Sequence, residues 1–305
     1  MNPLKKLFTE NIWSCYYSPR DIQGALWNKE EVDITKFHKL KTTARYWCAD
    51  PFLAEENGKV YAFVEIMDRK KSFGLLGCAE ISNDCDSDVK IIMDLGCHAS
   101  YPDIFKYKDS WYMIPETSGR KTLELYKAVD FPYKWEKVGA LIENINTVDS
   151  TVFKMNDKLY IFIYEPNGMN NTLSIGELDI DNCTVKSIRI VKEYNNRIGR
   201  PAGKTFEYNG KYIRPTQYGV NYYGEKIVFK EFEFDPVGFT YQEKDVSVLD
   251  NNNIVPNENY LGLHTYNYVA GYEIIDRCRT VVYPLRPLRI ICKKLGLFGY
   301  SYLKG

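Results

Sequence analysis

The chain has 305 residues, with 40 Lys plus Arg balanced by 40 Asp plus Glu, and it is 45% hydrophobic and 26% charged. Neutrality removes the basic excess with which nucleic-acid binders neutralise phosphates, and the apolar share excludes a disordered or fibrous chain. Length alone suggests two domains of about 150 residues, a prior that all-β folds often override.

At the amino terminus, MNPLKKLFTENIWSCYYSPRD is interrupted at Thr9, Glu10 and Asn11. It therefore lacks the apolar core of about 7 to 15 residues that a secretory signal needs. No run reaches the roughly 20 apolar residues of a membrane-spanning helix. The reading is a cytoplasmic protein. IWSCYYSP, from Ile12, reads as an aromatic strand with no partner nearby.

Four later segments share one grammar: a polar turn, an apolar strand, a polar hairpin and an aromatic strand. They begin at Ala49 (ADPFLAEENGKVYAFVEI), Tyr101 (YPDIFKYKDSWYMIPET), Val148 (VDSTVFKMNDKLYIFIYE) and Arg200 (RPAGKTFEYNGKYIRPTQ), with a weaker copy at Gly262. The tyrosines after the hairpins, Tyr61, Tyr112, Tyr160, Tyr212 and Tyr272, are separated by 51, 48, 52 and 60 residues. Between them lie further short β-rich runs such as GLLGCAEI, TLELYKAV, TLSIGELDI and IVFKEFEF. One four-stranded blade per repeat accounts for this period.

The fold expected is all-β, a single five-bladed β-propeller over residues 1–285 with about 50 residues per blade. The blades fall near 46–97, 98–146, 147–197 and 198–258, and the last joins 259–285 to the amino-terminal strand at 10–20. The alternative, two unrelated β-sandwiches, leaves the regular anchors unexplained. The 25 Tyr and 15 Phe suit both strands and sugar ligands.

Residues equidistant from a hairpin turn lie side by side. Asp50 then pairs with Glu65, Asp103 with Glu116, and Asp149 with Glu165, while the fourth blade brings Arg200 and Gln217, with Arg214 nearby, and the fifth brings His264. All should face one funnel. Crowded carboxylates supply the acid and the base or nucleophile that glycosidic chemistry requires, and crowding raises some of their pKa values. Asp50, Asp103, Glu116 and Asp149 are the catalytic candidates; Glu65, Glu165, Arg200, Arg214, Gln217 and His264 are the substrate-binding ones. The competing reading is that each Asp caps a turn and each Glu braces its blade.

No EF-hand loop is present and the eight cysteines include no CxxC pair, so neither a metal nor another cofactor is expected, and the thiols read as reduced and mostly buried. The segment 286–305 mixes Arg286, Arg289, Lys293, Lys294 and Lys304 with apolar residues, a composition compatible with contact to an anionic membrane surface or with a terminal helix packed on the domain.

HASYPDIFKYKDSWYMIPETSGRKTLELYKAVDFPYKWEKV, followed by TVDSTVFKMNDKLYIFIY, resembles the propeller domain at the amino terminus of plant glucosamine inositolphosphorylceramide transferases and its shorter relatives in bacterial surface-polysaccharide gene sets. With ADPF at Asp50 and GLHTYN at His264, the resemblance spans about residues 45–285. More distantly, the chain is similar to the five-bladed furanosidase clan of arabinanases and invertases. That similarity implies Asp50 as base or nucleophile and Asp103 as the orienting acid, with Glu116 and Glu165 both competing for the role of proton donor. In the plant proteins a separate domain resembles a glycosyltransferase, which leaves the propeller catalytic, substrate-binding or structural.

The function expected is a carbohydrate-active enzyme of surface glycan or glycolipid biosynthesis, transferring or trimming a sugar that is free, nucleotide-linked or lipid-linked. Arg200 and Arg214 would pair with a phosphate of such a substrate. The alternatives are a furanosidase-type glycoside hydrolase and a noncatalytic glycan-binding scaffold assisting a glycosyltransferase partner. Nucleic acid is not expected as a ligand.

Overall fold

Hairpin turns punctuate the chain where the sequence demands a left-handed backbone. Asn57-Gly58 and Asn209-Gly210 both carry two successive positive φ values, the type I′ geometry that Asn-Gly adopts at little steric cost and whose twist matches the flanking strands. In a computed structural model of the protein, which describes residues 8–20, 25–28, 31–257, 260–284 and 286–287, these two turns join the inner strands of the first and fourth of five sheets.

The first sheet runs Tyr46–Glu56, Lys59–Asp68, Phe73–Ile81 and Lys90–Met93 from channel to rim. The second takes Ser100–Tyr107, Ser110–Glu116, Thr122–Asp130 and Lys134–Glu143, and the third takes Val148–Met155, Lys158–Glu165, Asn171–Asp179 and Thr184–Tyr194. In the fourth, Ile198–Pro201 and Phe206–Tyr208 share the innermost place before Lys211–Tyr218, Lys226–Asp235 and Thr240–Asp250. The result is a five-bladed β-propeller.

The fifth blade uses both ends of the chain, as the sequence implied. Thr9–Pro19 pairs with Tyr272–Val282 over eleven residue pairs, from Thr9 opposite Val282 to Pro19 opposite Tyr272. Its outer neighbour, His38–Lys41, was not foreseen, because HKLK carries no apolar alternation.

Burial follows position in the blade. Lys59–Asp68 is buried almost throughout because both of its faces pack on neighbouring blades, whereas the rim strand Thr184–Tyr194 is mostly exposed. Of the six apolar clusters among the described residues, five fill the gaps between blades. Phe52, Phe63, Ile104 and Met113 join the first blade to the second, and Phe153, Phe162, Phe232 and Phe234 join the third to the fourth. The anchors Tyr61, Tyr112 and Tyr160 lie in these clusters, so part of the tyrosine excess is packing. Truncating one such aromatic to Ala costs about 3–5 kcal/mol.

The seven described cysteines are free thiols, four of them buried. Cys292 and the basic tail, beyond Arg286 and Pro287, lie outside the described residues. Among the described residues, no helix is long and apolar enough to cross a membrane.

Candidate active site

A repeated irregularity builds the mouth of the channel. In each of the first three blades the innermost strand carries one extra residue relative to its partner. Ala49 and Phe52 face Glu65 and Phe63, Ser100 and Asp103 face Glu116 and Ile114, and Val148 and Thr151 face Tyr164 and Phe162. The residue at each bulge is left-handed: Asp50 at φ 48°, Tyr101 at φ 44° and Asp149 at φ 50°. Gly199, at φ 77°, takes the place in the fourth blade. Such a conformation costs a non-glycine residue about 1–3 kcal/mol and persists only where its surroundings hold it, and bulges re-aim side chains.

That register corrects three expectations. Asp103 does not pair with Glu116; Tyr101 holds the place equivalent to Asp50, and Asp103 lies two residues further along. There its Oδ2 accepts from Val152 N at 2.6 Å while Oδ1 has no partner, and burial pushes its pKa up to about 7 against the opposing charge of Lys204. Glu165 is displaced by Tyr164, which faces Val148 in the position that Glu65 and Glu116 occupy in their own blades. Pleating sends neighbours to opposite faces, so Glu165 is not part of the ring.

Arg214 is the third correction. It lies buried between the third and fourth blades, donating to Glu243 at 2.8 Å, to the Tyr194 hydroxyl at 2.7 Å and to the Gly199 carbonyl at 3.2 Å, with its guanidinium over the Phe162 ring. Its donors are spent on a latch between blades, so no phosphate can reach it.

The remaining candidates converge. Asp50 Oδ1 lies 3.2 Å from His264 Nε2 and accepts from Thr265 Oγ1 at 3.0 Å; its Oδ2 accepts from Tyr101 N. Asp276, not identified from the sequence, organises this corner. Its Oδ1 accepts from the backbone N–H groups of His264 and Thr265 and its Oδ2 accepts from Asp50 N, with His264 Nδ1 2.6 Å from Oδ2. Trp13 covers the imidazole at 4.1 Å between centroids, and Tyr223 meets it edge-on at 5.0 Å.

On the opposite side, Arg200 forks onto Asp149, with Nη2 2.9 Å from Oδ1, and reaches Glu116 at 3.3 Å. Gln217 donates to Asp149 at 2.6 Å and Glu116 accepts from Asp149 N. Glu65 is buried with Oε1 unpartnered, 3.8 Å from His98 Nε2. It fits only because position 74 is glycine: a Cβ there would come within 2.6 Å of Glu65 Oε1 and 2.4 Å of the Ala99 carbonyl.

These surroundings separate the acids. Burial, with Asp149 and Asp276 nearby and His264 and Arg200 opposing, holds Asp50 at about 6. Burial and the Asp149 charge push Glu116 up to about 8 despite Arg200. Burial raises Glu65 well above the usual carboxylate range. For His264 burial works downward, but the Asp276 and Asp50 carboxylates outweigh it and its pKa is raised. Near neutral pH the mouth thus holds an ionised Asp50 and a protonated Glu116, a donor and an acceptor of protons in one site. Asp50, His264 and Asp276 also form the one trio among the described residues whose ligand atoms lie within 4.8 Å of one another, and these are the residues able to converge on a cation.

The fold class is the five-bladed β-propeller, with acids gathered at one mouth of its channel. Residues 34–264 match the family described as glucosamine inositolphosphorylceramide transferase 1, N-terminal, and the chain belongs to that family. It is 29% identical over 241 residues to glucosamine inositolphosphorylceramide transferase 1 of Arabidopsis thaliana, covering 75% of this chain and 30% of that protein. The counterpart in Oryza sativa subsp. indica is 28% identical over 196 residues, covering 61% and 26%. The chain therefore spans less than a third of the length of these relatives.

Among solved structures, an α-L-arabinofuranosidase from Podospora anserina, in complex with cellotriose, superposes with a TM-score of 0.57 at 11% identity, covering 79% of this chain and 94% of that one. A β-xylosidase/α-arabinofuranosidase from a compost metagenome, in complex with xylotriose, gives 0.55 at 14% over 79% and 92%. Bacillus subtilis arabinanase gives 0.53 at 15% over 75% and 93%. At these identities the likeness is one of fold.

Proposed function

We propose that the chain is a carbohydrate-active enzyme of surface glycan or glycolipid biosynthesis that transfers or trims a sugar at the mouth of its channel. The observation that carries this reading is the division of labour between Asp50 and Glu116, one ionised and one protonated near neutral pH at the same mouth. Glu116 would protonate the departing glycosidic oxygen, and Asp50 would act as base on the incoming hydroxyl or as nucleophile at the anomeric carbon. Arg200 and Gln217 hold Asp149 in place beside them. The family name, a glucosamine inositolphosphorylceramide transferase, supports a glycolipid setting.

The same pair would serve with water as acceptor, which is the hydrolytic form of the reading. Product analysis separates the two: transfer leaves the sugar on an added acceptor, whereas hydrolysis releases it free. A second reading, a noncatalytic glycan-binding propeller that presents substrate to a partner glycosyltransferase, is favoured by the description of the matching family, which names the N-terminal part of the transferase. Incubation with nucleotide sugars, lipid-linked sugars and aryl furanosides decides between them, since silence on all three classes supports the scaffold.

We place the protein in the cytoplasm, at the membrane surface through the basic tail from Arg286. Deleting that tail should move the protein to the soluble fraction of lysed cells, and unchanged fractionation would contradict the placement.

A further inference from the structure

Beside the carboxylates lies a cavity of about 330 Å³ between the third and fourth blades. Its walls include Tyr164, Asn171, Arg197, Arg200, Gln217 and Tyr223, and no Asp or Glu among the described residues. Two guanidiniums therefore border a space that no carboxylate lines, next to a cluster of acids. Among the described residues, no side chain pairs with the guanidinium of the exposed Arg197; its backbone N–H donates to Asn196. Arg200 spends Nε and Nη2 on Asp149 and Glu116, and among the described residues no hydrogen bond uses its Nη1.

The size sits at the lower end of small-molecule sites, about 300–1,000 Å³, which suits one small polar group and not a polymer. Arginine forks match the paired oxygens of phosphate and carboxylate. The phosphate of a lipid-linked sugar, and each phosphate of a nucleotide sugar, is doubly esterified and carries one negative charge, which the uncompensated guanidinium of Arg197 matches, with Nη1 of Arg200 as a second donor.

We propose that this cavity is an anion subsite holding the phosphate of a phosphorylated sugar, whose ring lies toward Asp50 and Glu116. The proposal rests on the carbohydrate-active reading above and names its substrate class. It also moves the phosphate contact foreseen for Arg214 to Arg197, which lines the cavity, whereas the donors of Arg214 are taken by buried partners. The phosphate is that of either a nucleotide sugar or a lipid-linked sugar, and the two share this chemistry.

Titration calorimetry on the full chain tests it with four probes: glucose, glucose-1-phosphate, uridine diphosphate glucose and a short-chain polyprenyl phosphate glucose. The phosphorylated probes are expected to bind at least about tenfold more tightly than glucose, an increment of about 1.4 kcal/mol. Arg197→Ala should remove most of that preference and leave glucose unchanged, while Arg197→Lys keeps part of it. Whichever of the last two probes binds more tightly identifies the source of the phosphate. Phosphorylated probes that bind no better than glucose, or a preference that survives Arg197→Ala, would overturn the proposal. The catalytic reading fails separately, through turnover retained in Asp50→Asn and Glu116→Gln, whose phosphate preference still reports on the subsite.

Discussion

Arg200, on the innermost strand of the fourth blade, clasps both carboxylate oxygens of Asp149, on the innermost strand of the third. The clasp keeps a cation between two acids, Asp149 and Glu116, and draws the proton-holding tendency of Glu116 downward. Arg200→Met should therefore raise the pKa of Glu116 above its present value of about 8. An alkaline limb of the pH–rate profile that moves up is expected; one that stays fixed would show that Glu116 does not set it.

On the proposed reading, the parent chain itself should show a bell. Activity appears as Asp50 loses its proton through about 6 and fades as Glu116 loses its own through about 8. Glu116→Gln should lower the rate about 10²- to 10⁴-fold and abolish the alkaline limb. A profile flat from pH 5 to pH 9, measured as kcat/KM, would contradict both assignments.

The Arg214–Glu243 latch makes a prediction about stability alone. Burial opposes ionisation of Glu243, but Arg214 and Lys230 outweigh it and hold the group down at about 2. Its pKa is depressed on folding, so its contribution is present above the unfolded value of about 4.3 and is lost as pH falls from there toward 2. Glu243→Gln leaves Arg214 buried without its counter-charge and should cost about 3–5 kcal/mol at neutral pH. Chemical denaturation checks this, and the cost should shrink in acid.

Closure by the amino-terminal strand is the most severe test of the fold. Removing residues 1–20 deletes the eleven residue pairs with Tyr272–Val282 and uncovers Leu40 and Ile274, which are buried in one cluster with Cys15 and Tyr17. No cooperative thermal transition should remain; a truncated chain melting like the parent would contradict the closure.

Much of this was legible beforehand because each inner strand is sandwiched between blades and must be apolar and aromatic along its whole length, which left a visible period. The site was less legible. Pairing by equal distance from the turn assumed an unbroken ladder, and the bulges at Asp50, Tyr101 and Asp149 break it by one residue. A better signal was present. Counting four residues on from Tyr61, Tyr112 and Tyr160 gives Glu65, Glu116 and Tyr164, which rejects Glu165, whereas Tyr272 opens its strand opposite Val269, so the same register does not reach Asp276. In the fourth blade the structure puts Ile213, not Tyr212, in the anchor register, opposite Phe206, and four residues on is Gln217. The two-residue period of a strand makes this count land on one face. Trp13 and Tyr223 had no such signal, since they reach His264 from a distant strand and a loop.

The most direct measurement of the central claim is turnover by the purified chain and its Asp50→Asn and Glu116→Gln variants on nucleotide sugars, lipid-linked sugars and aryl furanosides. The account predicts that one class is turned over by the parent and that each variant, still folded, loses about 10²-fold or more of that rate. Full activity in both variants, or no turnover of any class by the parent, would contradict it.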